Sequence, residues 1–147
     1  YFFDERVSRG AALADYDNDG DEDLVVVHVD DRPVSLLRND TQRVGRPLGL
    51  ELIGTRSPRS AIGARVVVRA GNQAWTRVVT GGGSYLSASD LRILVGVVAT
   101  ESNASVEVHW PSGQTETWPD LKPGRHWKLI EGTAKQPPRE QPMGPSR

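Results

Sequence analysis

Apolar residues alternate with polar ones along much of this chain, which is the pattern of β-strands with one buried face. The alternation is clearest at residues 104–110, where Val106, Val108 and Trp110 are predicted to face inward. An apolar, β-branched run at residues 24–29 predicts another strand, and no stretch has a sustained helical period. The pattern therefore predicts an all-β fold.

Turn-forming residues divide the predicted strands into two groups. Residues 1–47 are predicted to form a short antiparallel meander with strands at residues 11–14, 24–29 and 34–38. The more numerous strands within residues 48–132 predict a small β-sandwich or barrel-like domain. Residues 133–147 are rich in Pro and Gln and contain little that could be buried, so we expect them to be disordered.

One stretch of the meander carries far more negative charge than the rest of the chain. Residues 15–23, called here the acidic loop, hold six acidic residues and no Lys or Arg. Carboxylates this dense repel one another unless a cation lies among them. In calcium loops, side chains at positions one, three, five and nine surround the ion, a carbonyl supplies position seven, and Gly at position six permits the turn. The corresponding residues are Asp15, Asp17, Asp19 and Asp23 for the side chains, Asp21 for the carbonyl and Gly20 for the turn.

A solvated acidic turn is the alternative interpretation, since acidic runs usually face water. The odd-numbered spacing, the glycine and the apolar strand that follows favour a Ca²⁺ site instead. An EF-hand is not predicted, because its twelfth position is Val26 rather than Glu and the next residues are strand-like. We therefore expect Ca²⁺ to be held by a loop between two strands.

Composition excludes several classes of function. The net charge is −1, so no global field indicates a nucleic acid partner, and no run is apolar enough for membrane insertion. The chain contains no cysteine, which excludes disulfides, thiolate nucleophiles and Cys-ligated metals. It begins with Tyr1 rather than Met, and we expect it to be a fragment of a longer protein.

The sequence contains only a weak signal for catalytic residues. Ser84, Asp90 and His109 supply the residue types of a nucleophilic triad, but nothing in their spacing favours one. We therefore predict no catalytic residue and no enzymatic function.

The tryptophans suggest an alternative function. Aromatic rows on a β-sandwich can stack on sugar rings. A carbohydrate-binding sandwich with exposed Trp residues is thus the second hypothesis, although Trp110 falls in phase with the inward-facing valines. The candidates are Trp75, Trp110, Trp118 and Trp127.

Two parts of the chain resemble known families. The segment AALADYDNDGDEDLVVV is similar to the VCBS/FG-GAP-type repeat, whose loops bind calcium and whose copies build the blades of β-propellers. The segment IGARVVVRAGNQAWTRVVTGGGSYLSASDLR, followed by VEVHWPSGQTETW, resembles the ASPIC/UnbV domain. In the cartilage acidic protein-like family, that domain lies at the C-terminus after a run of such repeats.

The resemblance has consequences for site and location. It implies that Asp15, Asp17, Asp19 and Asp23 are side-chain ligands of Ca²⁺ and that Asp21 lends its carbonyl. It also implies an extracellular or periplasmic protein with upstream repeats in the same parent chain and a protein or glycan partner outside the cell. The chain departs from the family in having a single acidic loop, since one propeller-blade-like repeat cannot close a propeller. It also has Leu94-Val95-Gly96-Val97 where relatives tend to have Phe-Gly-Leu-Gly.

Overall fold

The computed structural model describes residue 3, residues 5–29, residue 31 and residues 34–42, 45–98 and 103–144. Within these residues the chain forms strands and turns but no helix, so the predicted all-β fold class is confirmed. Consequently, the described part of the chain contains no helix suited to crossing a membrane. The strands are β1 (Ser8–Ala14), β2 (Asp23–His28), β3 (Val34–Leu37), β4 (Arg46–Ile53), β5 (Arg65–Ala70), β6 (Gln73–Val78), β7 (Ile93–Val97), β8 (Ala104–His109), β9 (Thr115–Leu121), β10 (Arg125–Ile130) and β11 (Arg139–Pro142).

The first sheet is the predicted meander. Strands β1, β2 and β3 pair in that order, and both pairs are antiparallel. Ala14 lies opposite Asp23 at the end of the β1–β2 pair, so the acidic loop is the connection between these strands. The sheet therefore presents the loop at one of its ends.

The other strands form a small β-sandwich. One sheet has the order β11-β10-β4-β7 and the other has the order β6-β5-β8-β9. All pairs are antiparallel except that of β4 and β10, which is parallel. A single buried apolar cluster contains residues of both sheets, such as Leu50 of β4 and Val68 of β5. Val106, Val108 and Trp110 are buried in it, as the alternation predicts.

The prediction of a disordered tail is wrong for residues 133–144. Strand β11 pairs with β10 at the edge of the sheet, where Glu140 lies opposite Trp127. All four residues of β11 are exposed, and the strand is held by backbone pairing and by an ion pair between Arg125 and Glu140 at 2.9 Å. Because this strand buries no apolar face, hydrophobic patterning does not reveal it. Residues 145–147 lie outside the described part of the chain.

The tryptophans belong to the core and not to an exposed face. Trp110, Trp118 and Trp127 are at most 8% exposed, and the indole N–H of Trp127 donates to the carbonyl of Lys122 at 3.0 Å. Trp75 is half-buried and packs against the same apolar cluster. The exposed aromatic row that the carbohydrate-binding hypothesis requires is therefore missing from these described residues.

A buried carboxylate, that of Glu131, joins three segments at one end of the sandwich. Its Oε2 atom accepts the backbone N–H groups of Thr55, Arg56 and Ser57 at 2.8 Å each, and its Oε1 atom accepts the hydroxyls of Ser57 and Ser112. Burial alone would raise the pKa of Glu131, but these hydrogen bonds outweigh it and lower the pKa to about 2. The ionised form is therefore the one that the fold stabilises.

We expect the free energy of unfolding to fall as the pH drops from 4.5 toward about 2, because Glu131 is easier to protonate in the unfolded chain. Glu131→Gln should lose about 1.5–3 kcal/mol at neutral pH and show a weaker pH dependence in this window. Urea unfolding at neutral and acidic pH measures both effects. Glu51→Gln, which removes a half-exposed ion pair with Lys128, is the matched control and should change little. Equal pH slopes for wild type and Glu131→Gln would contradict the assignment.

Candidate metal centre

Three of the predicted ligands come together in the acidic loop. Asp15, Asp17 and Asp19 each offer a carboxylate oxygen, and these oxygens all lie within 4.8 Å of one another. Asp15 is buried, whereas Asp17 and Asp19 are more open to solvent. The alternation along the loop therefore directs three negative groups to one point.

Backbone conformation and hydrogen bonds give the loop its shape. Gly20 has a φ of 97°, the left-handed conformation that its position predicts. Its N–H donates to Oδ2 of Asp15 at 3.0 Å, and the N–H of Asp21 donates to Oδ1 of Asp19 at 3.0 Å. A Cβ atom at position 20 would lie 2.4 Å from Cγ of Pro47, so only glycine fits here.

Asp23 has a different position from the other three aspartates. Its Oδ2 atom accepts the N–H of Tyr16 at 3.0 Å, and its Oδ1 atom accepts the N–H of Asn39 at 2.8 Å. The side chain is buried, and its two hydrogen bonds connect the start of the loop to the residues just after β3. Asp23 is not part of the three-residue cluster, and its role as a ligand stays a prediction, as does that of the Asp21 carbonyl.

Asp15 is the most constrained carboxylate of the cluster. Its side chain is 1% exposed, and its Oδ1 atom is buried without a hydrogen-bond partner among the residues that the structure describes. Burial raises the pKa of Asp15, and the nearby negative charges of Asp19 and Asp17 raise it further. The hydrogen bond from the Gly20 N–H and the positive charge of Arg92 act in the opposite direction. A cation would satisfy the unpartnered oxygen, and clustered carboxylates are the hard donors that Ca²⁺ prefers. The residues present therefore fit the predicted ion.

The loop between β6 and β7 binds the meander to the sandwich. The hydroxyls of Ser84 and Ser89 accept the backbone N–H groups of Ala11 and Leu13 at 3.2 and 3.1 Å. The carbonyl of Leu13 accepts the N–H of Asp90 at 2.8 Å. This segment therefore covers the edge of β1 that β2 leaves open.

Arg92 connects the same segment to the acidic loop itself. Its guanidinium donates to Oδ1 of Asn18 at 2.7 Å and to the carbonyl of Asp15 at 3.0 Å, and it pairs with Asp90 at 2.6 Å. No pattern in the sequence predicts a role for Arg92. Its place at the end of the segment that resembles the ASPIC/UnbV domain was the available signal.

His126 is a second residue that sequence analysis missed. It lies in β10 and is 8% exposed, and its Nε2 atom is 3.6 Å from Oδ2 of Asp15. Burial lowers the pKa of His126. The positive charge of Arg92 lowers it further, whereas the negative charge of Asp90 raises it. No sequence pattern could have revealed this contact, because the two residues are far apart in the chain, one in the loop between β1 and β2 and the other in β10 of the sandwich.

The other candidate residues have unrelated partners. Ser84 accepts a backbone N–H of β1, Asp90 pairs with Arg92, and His109 pairs with Glu107 at 2.7 Å. These side chains do not form hydrogen bonds with one another in the described residues. The geometry therefore assembles no nucleophilic triad from them.

A family model described as ASPIC and UnbV matches residues 54–136. The chain belongs to the ASPIC and UnbV family. The family match covers most of the sandwich and the segment from Ser84 to Arg92, but not the acidic loop. No curated protein sequence matches the chain. Membership of the ASPIC and UnbV family thus concerns the sandwich and does not by itself account for the aspartate cluster.

Arg92→Gln should loosen the acidic loop without unfolding the sandwich, because it removes charged hydrogen bonds to Asn18 and Asp15 but no core contact. Hydrogen exchange at the amides of Gly20 and Asp21 should become about tenfold faster, while amides of the core strands keep their protection. The matched control is Arg69→Gln, which removes only a half-exposed pair with Glu107. Unchanged exchange at the loop amides in Arg92→Gln would refute this role.

Proposed function

We propose that this chain is a non-catalytic, calcium-binding structural module in which the ion rigidifies the N-terminal meander. Asp15, Asp17 and Asp19 would hold Ca²⁺, and Asp23 and the Asp21 carbonyl would complete the predicted set. The loop and the meander around it correspond in this proposal to one VCBS/FG-GAP-type repeat. The protein would be a secreted, extracellular or periplasmic one.

The proposal rests on the burial and the incomplete hydrogen bonding of the Asp15 carboxylate. A carboxylate this deeply buried normally has hydrogen-bond donors or a cation at each oxygen. Within the described ranges, Asp15 has a donor at Oδ2 and none at Oδ1, and two other carboxylates lie close by. A solvated acidic turn would instead leave such oxygens in water.

The position of the loop supports a structural role for the ion. The loop joins β1 to β2, contacts Arg92 on the sandwich, and accepts the N–H of Gly144 at the carbonyl of Asn18, at 2.7 Å. Neutralising its charge would therefore strengthen a junction between the meander, the sandwich and the segment after β11. The ion would act by removing repulsion at that junction.

The wider setting belongs to the same proposal. Upstream repeats of a longer parent chain would continue the meander, and a protein or glycan outside the cell would be the partner. Extracellular modules commonly bind Ca²⁺ with dissociation constants of about 0.1–1 mM, which keeps them loaded outside a cell.

We expect Ca²⁺ to raise the thermal midpoint and a chelator to lower it. At about 100 times the dissociation constant, the ion would stabilise the fold by about 2.7 kcal/mol. For a chain of this size that corresponds to a shift of about 5–10 °C, measured by differential scanning calorimetry. A midpoint that does not respond to Ca²⁺ would refute the proposal.

Asp17→Ala and Asp19→Ala should each abolish the calcium response, because each removes one donor of the cluster, while the sandwich stays folded. The matched control is Asp40→Asn, which changes an exposed acid paired with Arg38 outside the loop and should keep the full response. Calorimetric titration with Ca²⁺ gives the affinities, and circular dichroism checks the fold. Retained calcium affinity in both loop variants would place the ion elsewhere.

A further inference from the structure

We infer that His126 supplies a nitrogen ligand to the ion held by the acidic loop, so that the sandwich itself completes the site. The inference rests on the proposed function, because it takes the acidic loop to bind a metal. It adds a residue from β10 to a site otherwise made by the meander, and it widens the class of ion that the site would accept.

Two facing residues each present a buried polar atom that has no hydrogen-bond partner in the described part of the chain. These atoms are Nε2 of His126 and Oδ1 of Asp15, and both side chains are at least nine-tenths buried. Buried polar atoms in folded proteins are nearly always satisfied. Two such atoms on adjacent side chains point to a common partner, although the His126 nitrogen is not among the cluster atoms that all lie within 4.8 Å of one another.

The separation of the two side chains fits a shared ion better than a direct contact. Nε2 of His126 lies 3.6 Å from Oδ2 of Asp15, the oxygen that accepts the Gly20 N–H and sits beside the unpartnered Oδ1. That distance is too long for a hydrogen bond between His126 and Asp15. Two ligands at right angles on an ion with bonds of about 2.3–2.6 Å are about 3.3–3.7 Å apart. The observed distance falls in that range.

The ring of His126 is directed toward the loop by the strand beneath it. Gly49 of β4 lies opposite His126 in the parallel β4–β10 pair. A Cβ atom at position 49 would be 2.0 Å from Nδ1 and 2.6 Å from Cε1 of the ring. The imidazole therefore lies across the glycine backbone, and any side chain at position 49 would displace it from Asp15.

A nitrogen ligand changes the chemistry of the site. Carboxylates suit Ca²⁺ and Mn²⁺, whereas imidazole suits transition metals and contributes little to Ca²⁺ binding. Three carboxylates with one imidazole should therefore bind Mn²⁺ as well as Ca²⁺, and His126 should matter more for Mn²⁺.

Pulsed electron paramagnetic resonance of Mn²⁺ bound to the wild-type chain tests the ligand directly. At a fixed neutral pH, we expect the manganese signal to show coupling to a directly bound imidazole nitrogen. Asp17→Asn should abolish manganese binding altogether. Bound Mn²⁺ without nitrogen coupling would overturn the inference, and this readout does not depend on how a histidine variant folds.

His126→Gln supplies the second test. Loss of even an outer-shell partner of a metal ligand typically costs about 10–100-fold in affinity, so the affinity for Mn²⁺ should fall at least about tenfold. The affinity for Ca²⁺ should fall less than about threefold, since its other donors are oxygens. His109→Gln is the matched control, because His109 pairs with Glu107 away from the loop, and it should change neither affinity.

The outcomes separate this inference from the proposed function. If wild type binds neither Ca²⁺ nor Mn²⁺, both the proposed function and the inference fail. If both ions bind, Asp17→Asn abolishes binding and His126→Gln changes neither affinity, the metal loop stands and the inference about His126 is wrong. Nitrogen coupling together with a selective loss of manganese affinity supports it.

Discussion

The burial of one carboxylate, that of Asp15, is the constraint on which the junction of this protein depends. One side of the acidic loop is held against the rest of the protein, because Arg92, Asn39 and Gly144 all hydrogen-bond to it from other segments. The buried carboxylate of Asp15 is thereby held near Asp17 and Asp19, where solvent screens its charge little. The same contacts that join the meander to the sandwich therefore hold carboxylates close together at a buried position.

Glu131 is a second buried carboxylate, and its hydrogen-bonding capacity is filled by the chain. Both Glu131 and Asp15 are buried, yet Glu131 accepts three backbone N–H groups and two hydroxyls, whereas Asp15 accepts a single backbone N–H. The pKa of Glu131 is accordingly lowered, and that of Asp15 is raised. Burial alone thus does not mark a functional carboxylate. The unfilled hydrogen-bonding capacity of Asp15 distinguishes it.

The ASPIC and UnbV segment from Ser84 to Arg92 acquires a physical role from its contacts. Its serine hydroxyls satisfy backbone N–H groups along the edge of β1, and its arginine reaches the acidic loop. An exposed strand edge invites pairing with other chains, and this segment covers part of it. In this chain the segment from Ser84 to Arg92 therefore holds the meander against the sandwich.

Local periodicity and spacing determined much of this fold by themselves. Alternation in β8 predicts which side chains enter the core, and the Asp-Xaa-Asp spacing with Gly20 predicts the cluster of Asp15, Asp17 and Asp19, because both depend on neighbours in the chain. Strand β11 buries no side chain, so only its pairing with β10 defines it. The approach of His126 and Arg92 to the acidic loop was likewise decided by tertiary structure alone, since packing of separate sheets brings together residues that no local pattern relates.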